Sequence, residues 1–357
     1  MTIPNKPEHH VDESLAFNPK LSIAPMLDWT DRHCRYFHRL LTRHTVLYTE
    51  MVTTGAIIHG KMDLLQFDPA EQPVVLQLGG SDPAAMAECT VRAAERGYHE
   101  VNINVGCPSD RVQNGSFGAC LMAEPETVAA CVKAMKAAAS NTVVSVKTRL
   151  GIDEHDSDEY LQRFLEPVMD AGCEHFTLHA RNAWLKGLSP KQNRDIPPLR
   201  YDRVYRMKQR YPQLHISING GIKSVDEINA HLAHVDGVMI GREAYQNPML
   251  LTEFDAFYGD NHSVDIAMVL EHMIQYMERH VANGGRPWHV ARHMIGLFQG
   301  GPGAKKWRQL LSQHGPTATD ARELIERAYT EVTTARTRFD QHLAELAKRN
   351  NAEVVES

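Results

Sequence analysis

Short apolar runs recur along the first two thirds of the chain, and stretches with helical periodicity lie between them. The runs are too short for helices and most are rich in β-branched residues, which favours buried strands. They cover residues 21–24, 46–48, 74–78, 101–105, 143–146, 175–178, 215–218 and 237–240. Eight strands alternating with helices predict an α/β fold in which a parallel sheet closes into a (β/α)8 TIM barrel.

Helix boundaries between the runs are marked by capping residues. Residues 82–96 follow Ser81 and open on an Asp-Pro pair, and residues 224–234 begin with Ser224 and carry Glu227 at the capping-box spacing. An open doubly wound sheet is the alternative architecture, and it usually has a GxGxxG turn after its first strand. The turn here contains Pro25, Met26 and Leu27 instead, so the barrel is favoured.

The pattern changes after the last predicted strand. From residue 250 onwards no strand-like run remains, and apolar residues recur at helical spacing, as at Met268, Met273 and Met277. This spacing predicts a separate all-helical domain. We therefore expect a loose N-terminal arm at 1–18, the barrel at 19–248, the helical domain at 249–346 and a frayed tail at 347–357.

Composition and charge narrow the class of protein. The chain has 357 residues, is 43% hydrophobic and carries a net charge of −6, which excludes a uniformly basic nucleic-acid binder. No stretch without charged residues is long enough to span a bilayer, and the N-terminus does not resemble a signal peptide. We expect a cytoplasmic protein with reduced thiols.

No CxxC occurs, and His289 and His293 lack the Glu of an HExxH motif, so no metal site is predicted.

Functional side chains stand at nearly every predicted strand end. In a TIM barrel the C-terminal strand ends carry the chemistry, whereas the strand interiors here remain apolar. The residues at these ends are Met26, Gln77, Asn104, Cys107, Lys147, His179, Arg181, Asn219, Gly220, Gly221, Gly241 and Arg242. Their clustering predicts a ligand site at one end of the barrel.

Two strand ends indicate a bound phosphate, and a third indicates a flavin. Gly220 and Gly221 allow backbone N–H groups to approach an anion, and Arg242 can bind phosphate oxygens in a bidentate manner. Lys147 ends a buried run, where an ammonium group is costly unless it meets an anion. A reduced flavin is anionic near N1 and O2, so Lys147 and the amide of Gln77 suit a flavin ring.

Cys107 differs from the other cysteines because it lies in a sharp loop at the predicted barrel mouth, between Gly106 and Pro108. An unperturbed thiol has a pKa of about 8.5 and is therefore mostly protonated at neutral pH. It can serve as a general acid as well as a nucleophile. We expect the remaining cysteines to be small buried side chains.

These motifs together resemble those of the tRNA-dihydrouridine synthases, and residues 106–113 and 300–304 resemble the bacterial A type in particular. The likeness runs over residues 21–311. Its motifs are Ala24-Pro25-Met26-Leu27-Asp28-Trp29-Thr30, Gln77-Leu78-Gly79-Gly80, Asn102-Ile103-Asn104-Val105-Gly106-Cys107-Pro108-Ser109-Asp110-Arg111-Val112-Gln113, His179-Ala180-Arg181, Asn219-Gly220-Gly221 and Gly300-Gly301-Pro302-Gly303-Ala304.

The resemblance implies an FMN-bound barrel and a helical tRNA-binding domain. NADPH would reduce the flavin, flavin N5 would give hydride to uracil C6, and Cys107 would give a proton to C5. The substrates would be uridines 20 and 20a of the tRNA D-loop, with Asn104 beside the base. The FMN-binding residues would be Pro25, Met26, Leu27, Gln77, Lys147, His179, Asn219, Gly220, Gly221, Gly241 and Arg242.

Two stretches without acidic residues are the candidate tRNA contacts. Residues 279–319 contain no Asp or Glu and include Lys305, Arg308 and two tryptophans, and residues 181–194 contain Arg181, Lys191 and Arg194. Basic stretches with interleaved aromatic residues are typical of RNA-binding surfaces. A single basic stretch is more often a solvated face.

Two other functions fit parts of the pattern. An FMN-dependent barrel reductase of a small molecule, similar to dihydroorotate dehydrogenase, would share Lys147 and the phosphate loops. It would give no reason for the acid-free stretch in the helical domain. A non-catalytic RNA-binding barrel would predict eroded strand ends, and these are intact. No obligate protein partner is indicated by the sequence.

Overall fold

The computed structural model describes residues 17–109, 112–113 and 115–355, and side chains up to residue 348. The chain forms two compact units, the first ending at Gly241 and the second beginning at Arg242. The predicted N-terminal arm, 1–18, lies almost wholly outside the described residues. The predicted domain boundary at 248 and 249 falls inside the second unit, and the domain limits remain predictions.

The first unit is a closed barrel of eight parallel strands in sequence order, which confirms the predicted fold class. Leu21 pairs with Val238 and Ile23 with Ile240, and these pairs close the barrel. The strands are β1 Leu21–Ile23, β2 Val46–Thr53, β3 Val74–Gly79, β4 Glu100–Val105, β5 Val143–Arg149, β6 His175–His179, β7 His215–Asn219 and β8 Gly237–Ile240.

Helices follow the strands of the first unit. They are α1 Arg32–Leu41, α2 Thr54–His59, α3 Pro83–Glu95, α4 Pro125–Ala138, α5 Asp158–Asp170, α6 Tyr201–Arg210 and α7 Val225–Leu232. Short 3-10 turns lie at Pro69–Glu71, Gly118–Ala123 and Gln192–Arg194. The caps are those the sequence predicts: Asp82 accepts from the N–H of Ala85, and Ser224 accepts from the N–H of Glu227. The carboxylate of Glu227 accepts from the N–H of Lys223, one residue earlier than in a capping box.

Strand β2 is longer than its apolar run indicates. Its pairing with β3 shifts register between Tyr48 and Met51. In this irregular stretch the Thr49 hydroxyl accepts from the N–H of Gln77 at 3.0 Å. The polar residues at 49 and 50 therefore belong to the strand, whereas the strand predicted from the apolar run alone ends at residue 48.

The barrel interior combines an apolar cluster with a polar column. Ala24, Val46, Tyr48, Val75 and Met239 form the apolar cluster. Alternate residues of a strand point to the same face. The buried polar residues of β4 therefore all face inward, as do Ser145 of β5 and Gln77 of β3. Those β4 residues are Glu100, Asn102 and Asn104.

The second unit is helical throughout its described part. Its helices are α8 Arg242–Gln246, α9 Ile266–Ala282, α10 Pro287–Ala291, α11 Ala304–His314 and α12 Ala321–Val355, with 3-10 turns at Pro248–Glu253, Asp255–Tyr258, Arg292–Met294 and Gly315–Thr317. Helical backbone continues to Val355, within the predicted tail. No helix in the described part of the chain is long and apolar enough to cross a membrane.

Trp307 is at the centre of this helical core rather than on a binding surface. Its side chain is fully buried, its indole N–H donates to the carbonyl of Met294 at 2.8 Å, and its ring meets Phe298 edge-on at 4.9 Å. Trp307 is one of the two tryptophans of residues 279–319, where interleaved aromatic residues predict an RNA-binding surface. The structure corrects this interpretation, because a fully buried indole offers no face to a base.

Candidate active site

The barrel brings predicted site residues from four strands into hydrogen-bonding contact. The Nζ atom of Lys147 donates to Oδ1 of Asn219 at 3.1 Å. On β4, where Asn104 is the register partner of Lys147, the amide of Asn104 donates to Oε1 of Gln77 at 2.8 Å. These contacts arise because all eight parallel strands end at one rim.

Lys147 is half-buried near the C-terminal end of β5. The pKa of its ammonium group is lowered from 10.5 to about 7, chiefly by burial and also by the nearby charge of Arg149, whereas Cys107 acts in the opposite direction. A cation whose charged form is destabilised in this way gains most from an anionic ligand. The site is therefore built to attract negative charge.

The Cys107 loop is held in place by hydrogen bonds to its backbone groups. The N–H groups of Cys107 and Gly106 donate to Oδ1 of Asn104 at 3.0 and 3.1 Å, and the Cys107 carbonyl accepts from the N–H of Ala119 at 2.9 Å. The thiol lies 3.5 Å from the Ser109 hydroxyl and is half-buried. Positions 110 and 111 of the predicted motif lie outside the described residues.

A glycine turn follows β7. Gly220 and Gly221 have φ of 125° and 74°, and an added Cβ would lie 2.9 Å from the His179 ring and 2.7 Å from Leu199 respectively. The Tyr201 hydroxyl donates to the Gly220 carbonyl at 2.6 Å. The N–H of Gly221 points the opposite way because the peptide is trans. The turn therefore requires glycine at both positions. It presents its backbone rather than side chains, which is what a phosphate site needs.

The other predicted phosphate residues are less constrained by space. A Cβ on Gly241 would meet only the Cβ of Ala24, at 3.9 Å. Arg242 follows directly as the first residue of α8 and of the second unit. Pro25, Met26 and Leu27 form the turn after β1, where the Met26 N–H donates to the Thr30 hydroxyl at 2.9 Å and Leu27 is exposed.

Arg149 is a site residue that the sequence analysis missed. Its guanidinium donates to the carbonyls of Gly106 at 3.2 Å, Asn193 at 3.0 Å and Asn182 at 3.3 Å. It therefore ties the Cys107 loop to the loop after β6. Burial lowers its pKa to about 10, and Cys107 opposes the shift. Its position two residues after Lys147, on the same strand face, could have revealed it.

The predicted tRNA-binding residues of the loop after β6 are of two kinds, buried and exposed. Arg181 is buried, and its guanidinium donates to the carbonyls of Asp195 and Pro197, so its described contacts hold the loop together. Lys191 and Arg194 are exposed. The same loop carries Trp184, a partly exposed indole that the sequence analysis did not single out.

In the second unit, Lys305 and Arg308 are both exposed on α11. They are three residues apart and therefore share a helix face. Arg308 also lines an open cleft of about 560 Å³ together with Arg292 and Tyr245. His289 contacts His280 at 3.0 Å, and His293 contacts the Tyr245 hydroxyl at 3.1 Å, so the two histidines rejected as a zinc pair have different partners.

Comparison with known proteins decides the family. A family model described as Dihydrouridine synthase (Dus) matches residues 22–333. The chain belongs to the dihydrouridine synthase family. Two curated relatives are named tRNA-dihydrouridine(20/20a) synthase. The relative from Shewanella oneidensis is 56% identical over 329 residues, covering 92% of this chain and 98% of the relative. The one from Escherichia coli is 58% identical over 312 residues, covering 87% and 94%.

The dihydrouridine synthase match extends over both units. It begins within β1 and ends within α12, so it includes the barrel mouth and the exposed face of α11. A solved structure of a morphinone reductase variant in complex with tetrahydroNAD is 11% identical, with a TM-score of 0.47, and covers 70% of this chain and 90% of that one. A likeness this weak supports no statement about ligands.

Proposed function

We propose that this dihydrouridine synthase reduces the C5–C6 double bond of uridines 20 and 20a in the tRNA D-loop to give 5,6-dihydrouridine. The 56–58% identical relatives carry that specificity in their names. The observation that carries the chemical assignment is the placement of the Cys107 thiol. It lies in the barrel mouth close enough to Lys147 and Arg149 to influence the pKa of both.

We further propose that the bound cofactor is FMN and that NADPH is the reductant. The glycine turn after β7 and the anion-seeking Lys147 fit a flavin phosphate and a flavin ring respectively. When bound, FMN would supply the hydride that uracil C6 requires. The residues proposed to hold it are Pro25, Met26, Leu27, Gln77, Lys147, His179, Asn219, Gly220, Gly221, Gly241 and Arg242.

Cys107 is the proposed general acid that protonates C5 of the uracil. The thiol carries an S–H proton that it can give to a neighbouring carbon, as a general acid must. Asn104 holds the two backbone N–H groups at 106 and 107 and therefore fixes where the thiol stands. We place Asn104 beside the target base for the same reason.

Binding of the tRNA body must offset the cost of removing a uracil from its stack, which is a few kcal/mol. Exposed cations supply this through phosphate contacts. We propose Lys305 and Arg308 on α11, and Arg181, Lys191 and Arg194 in the loop after β6. Of these, Arg181 is buried, so it would act by shaping the loop.

Mass mapping of dihydrouridine in tRNA tests the proposed activity. Cells lacking this protein should have uridine at positions 20 and 20a, and the purified protein with NADPH should reduce those bases in tRNA from such cells. Loss of dihydrouridine at other positions, or turnover of free pyrimidines without tRNA, would contradict the proposal.

The cofactor is tested by releasing it from denatured protein. We expect FMN, and we expect the double variant Lys147→Ala with Arg242→Ala to purify without it. Release of FAD, or of no flavin from the wild type, would contradict the assignment of the phosphate loops.

A further inference from the structure

A series of buried hydrogen bonds runs along the inside of the barrel from the start of β4 to the Cys107 loop. We call it the inner network. Ser145 donates to Oε1 of Glu100 at 2.5 Å, and Asn102 donates to Ser145 at 2.7 Å. Gln77 then donates to Asn102 at 2.8 Å, and Asn104 donates to Gln77 at 2.8 Å. The series ends where Asn104 accepts from the backbone N–H groups of Gly106 and Cys107.

The direction of every bond in the inner network follows from its first member. A carboxylate can only accept, so Ser145 must donate to Glu100. Its oxygen is then left to accept from the NH2 group of Asn102, which turns the Asn102 carbonyl towards Gln77. The same reasoning orients Gln77 and then Asn104. The side-chain oxygen of Asn104 consequently faces the Cys107 loop.

The last member of the inner network imposes the same direction independently. Backbone N–H groups can only donate, so Gly106 and Cys107 require an oxygen from Asn104. Asn104 is nine-tenths buried and Glu100, Asn102, Gln77 and Ser145 are at least as buried. Water therefore does not compensate a reversed amide, which would place an NH2 group against the two N–H donors of the loop.

Given the proposed role of Cys107, we infer that Glu100 is a positioning residue for it. Glu100 lies at the opposite end of β4 from the thiol and acts through Ser145 and the three amides. Its acceptor oxygen favours the same orientation of Asn104 that the loop N–H groups require, and this shared orientation anchors the loop that carries the thiol. No bond of the inner network joins Glu100 directly to the thiol or to its loop.

The chain offers a matched control. The Tyr48 hydroxyl donates to the same Glu100 oxygen at 3.0 Å but is not a link of the inner network. Tyr48→Phe removes a buried hydrogen bond to Glu100 and leaves Ser145 donating. Glu100→Gln is the rescue variant, because it keeps an acceptor oxygen for Ser145. Glu100→Met and Ser145→Ala each break the network.

The test is the rate at which iodoacetamide labels Cys107 in flavin-free protein, measured by mass spectrometry of the peptide. Wild-type protein labelled in parallel is the reference, because Cys120 is half-buried but follows Ala119, which donates to the Cys107 carbonyl. We expect Glu100→Met and Ser145→Ala to raise the Cys107 rate about tenfold relative to the wild type, the effect of one lost buried hydrogen bond. Tyr48→Phe and Glu100→Gln should label like the wild type.

A purely structural role for Glu100 predicts a different result. Melting temperatures would fall in Glu100→Met and in Tyr48→Phe, while Cys107 labelling would stay at the wild-type rate in all folded variants. That result would overturn the inference. If Glu100→Met does not fold, Ser145→Ala decides the question alone.

Activity gives a second readout that separates this inference from the proposed function. If the wild type reduces uridine in tRNA, Ser145→Ala should lower kcat about tenfold with KM for tRNA unchanged. If the wild type shows no such activity, the proposed function fails, and the labelling experiment still decides the role of Glu100.

Discussion

Replacing Lys147 with methionine should make the flavin-free protein more stable at neutral pH. Folding lowers the pKa of Lys147 from 10.5 to about 7, and each pKa unit corresponds to about 1.4 kcal/mol. The buried ammonium therefore costs roughly 4 to 5 kcal/mol at pH 7. Methionine is of similar size and carries no charge. It also loses the hydrogen bond to Asn219, which offsets about 1 to 3 kcal/mol of the gain.

The pH dependence identifies the cause of this gain. Between pH 7 and 10.5 the unfolded chain holds the Lys147 proton and the folded chain does not, so wild-type stability rises with pH. The variant lacks this contribution. Its advantage should shrink by up to about 1.4 kcal/mol per pH unit above 7.

Urea unfolding of both proteins from pH 7 to 9 measures this difference. Both should carry Cys107→Ser, because the neighbouring thiol acts on the pKa of Lys147. Lys133→Met, at an exposed position of α4, is the control and should show a difference that does not change with pH. A stability difference between wild type and Lys147→Met that is flat over this range would refute the reasoning about burial.

Three further predictions concern the site itself. Cys107→Ala should keep its flavin and its tRNA affinity yet lose roughly 10²–10⁴-fold in the rate of uridine reduction, while Cys131→Ala, at a buried cysteine, should change that rate little. Reversing charge at Lys305 and Arg308 should raise the KM for tRNA and flatten the slope of log K against log salt by about one unit per lost phosphate contact; an unchanged slope would move the RNA site away from α11. Gly221→Ala should purify with little flavin, because φ is 74° and its Cβ would lie 2.7 Å from Leu199; full flavin content would exclude the turn as the phosphate site.

The barrel could be predicted because its strands are buried on both faces. Each of the eight predicted runs lies in a strand or overlaps one, since continuous apolar runs are the mark of covered parallel strands. The errors of length occur where a strand carries polar residues. Strand β2 continues through Thr49 and Glu50, and β5 continues through Lys147 to Arg149, and neither extension has an apolar pattern.

The rim of the site was also predictable, whereas the residues below it were not. Gln77, Asn104, Lys147 and Asn219 stand at strand ends, where polar residues are conspicuous in the sequence. Glu100 precedes an apolar run and has the appearance of a solvated flank. Only the pairing of β4 with β5, which sets Glu100 opposite Val143 and Asn102 opposite Ser145, shows that it faces the barrel interior.

The closing strands of the barrel have a consequence for its synthesis on the ribosome. β1 has β2 and β8 as neighbours, so its second partner is made only after more than two hundred further residues. During this interval the growing sheet has two open edges, and unpaired edges recruit strands from other chains. β1 has 3 residues and β8 has 4, and all the other strands are longer. β1, whose edge stays open longest, and β8, which finally covers it, are thus the two shortest strands. They offer few backbone groups with which another nascent chain could pair.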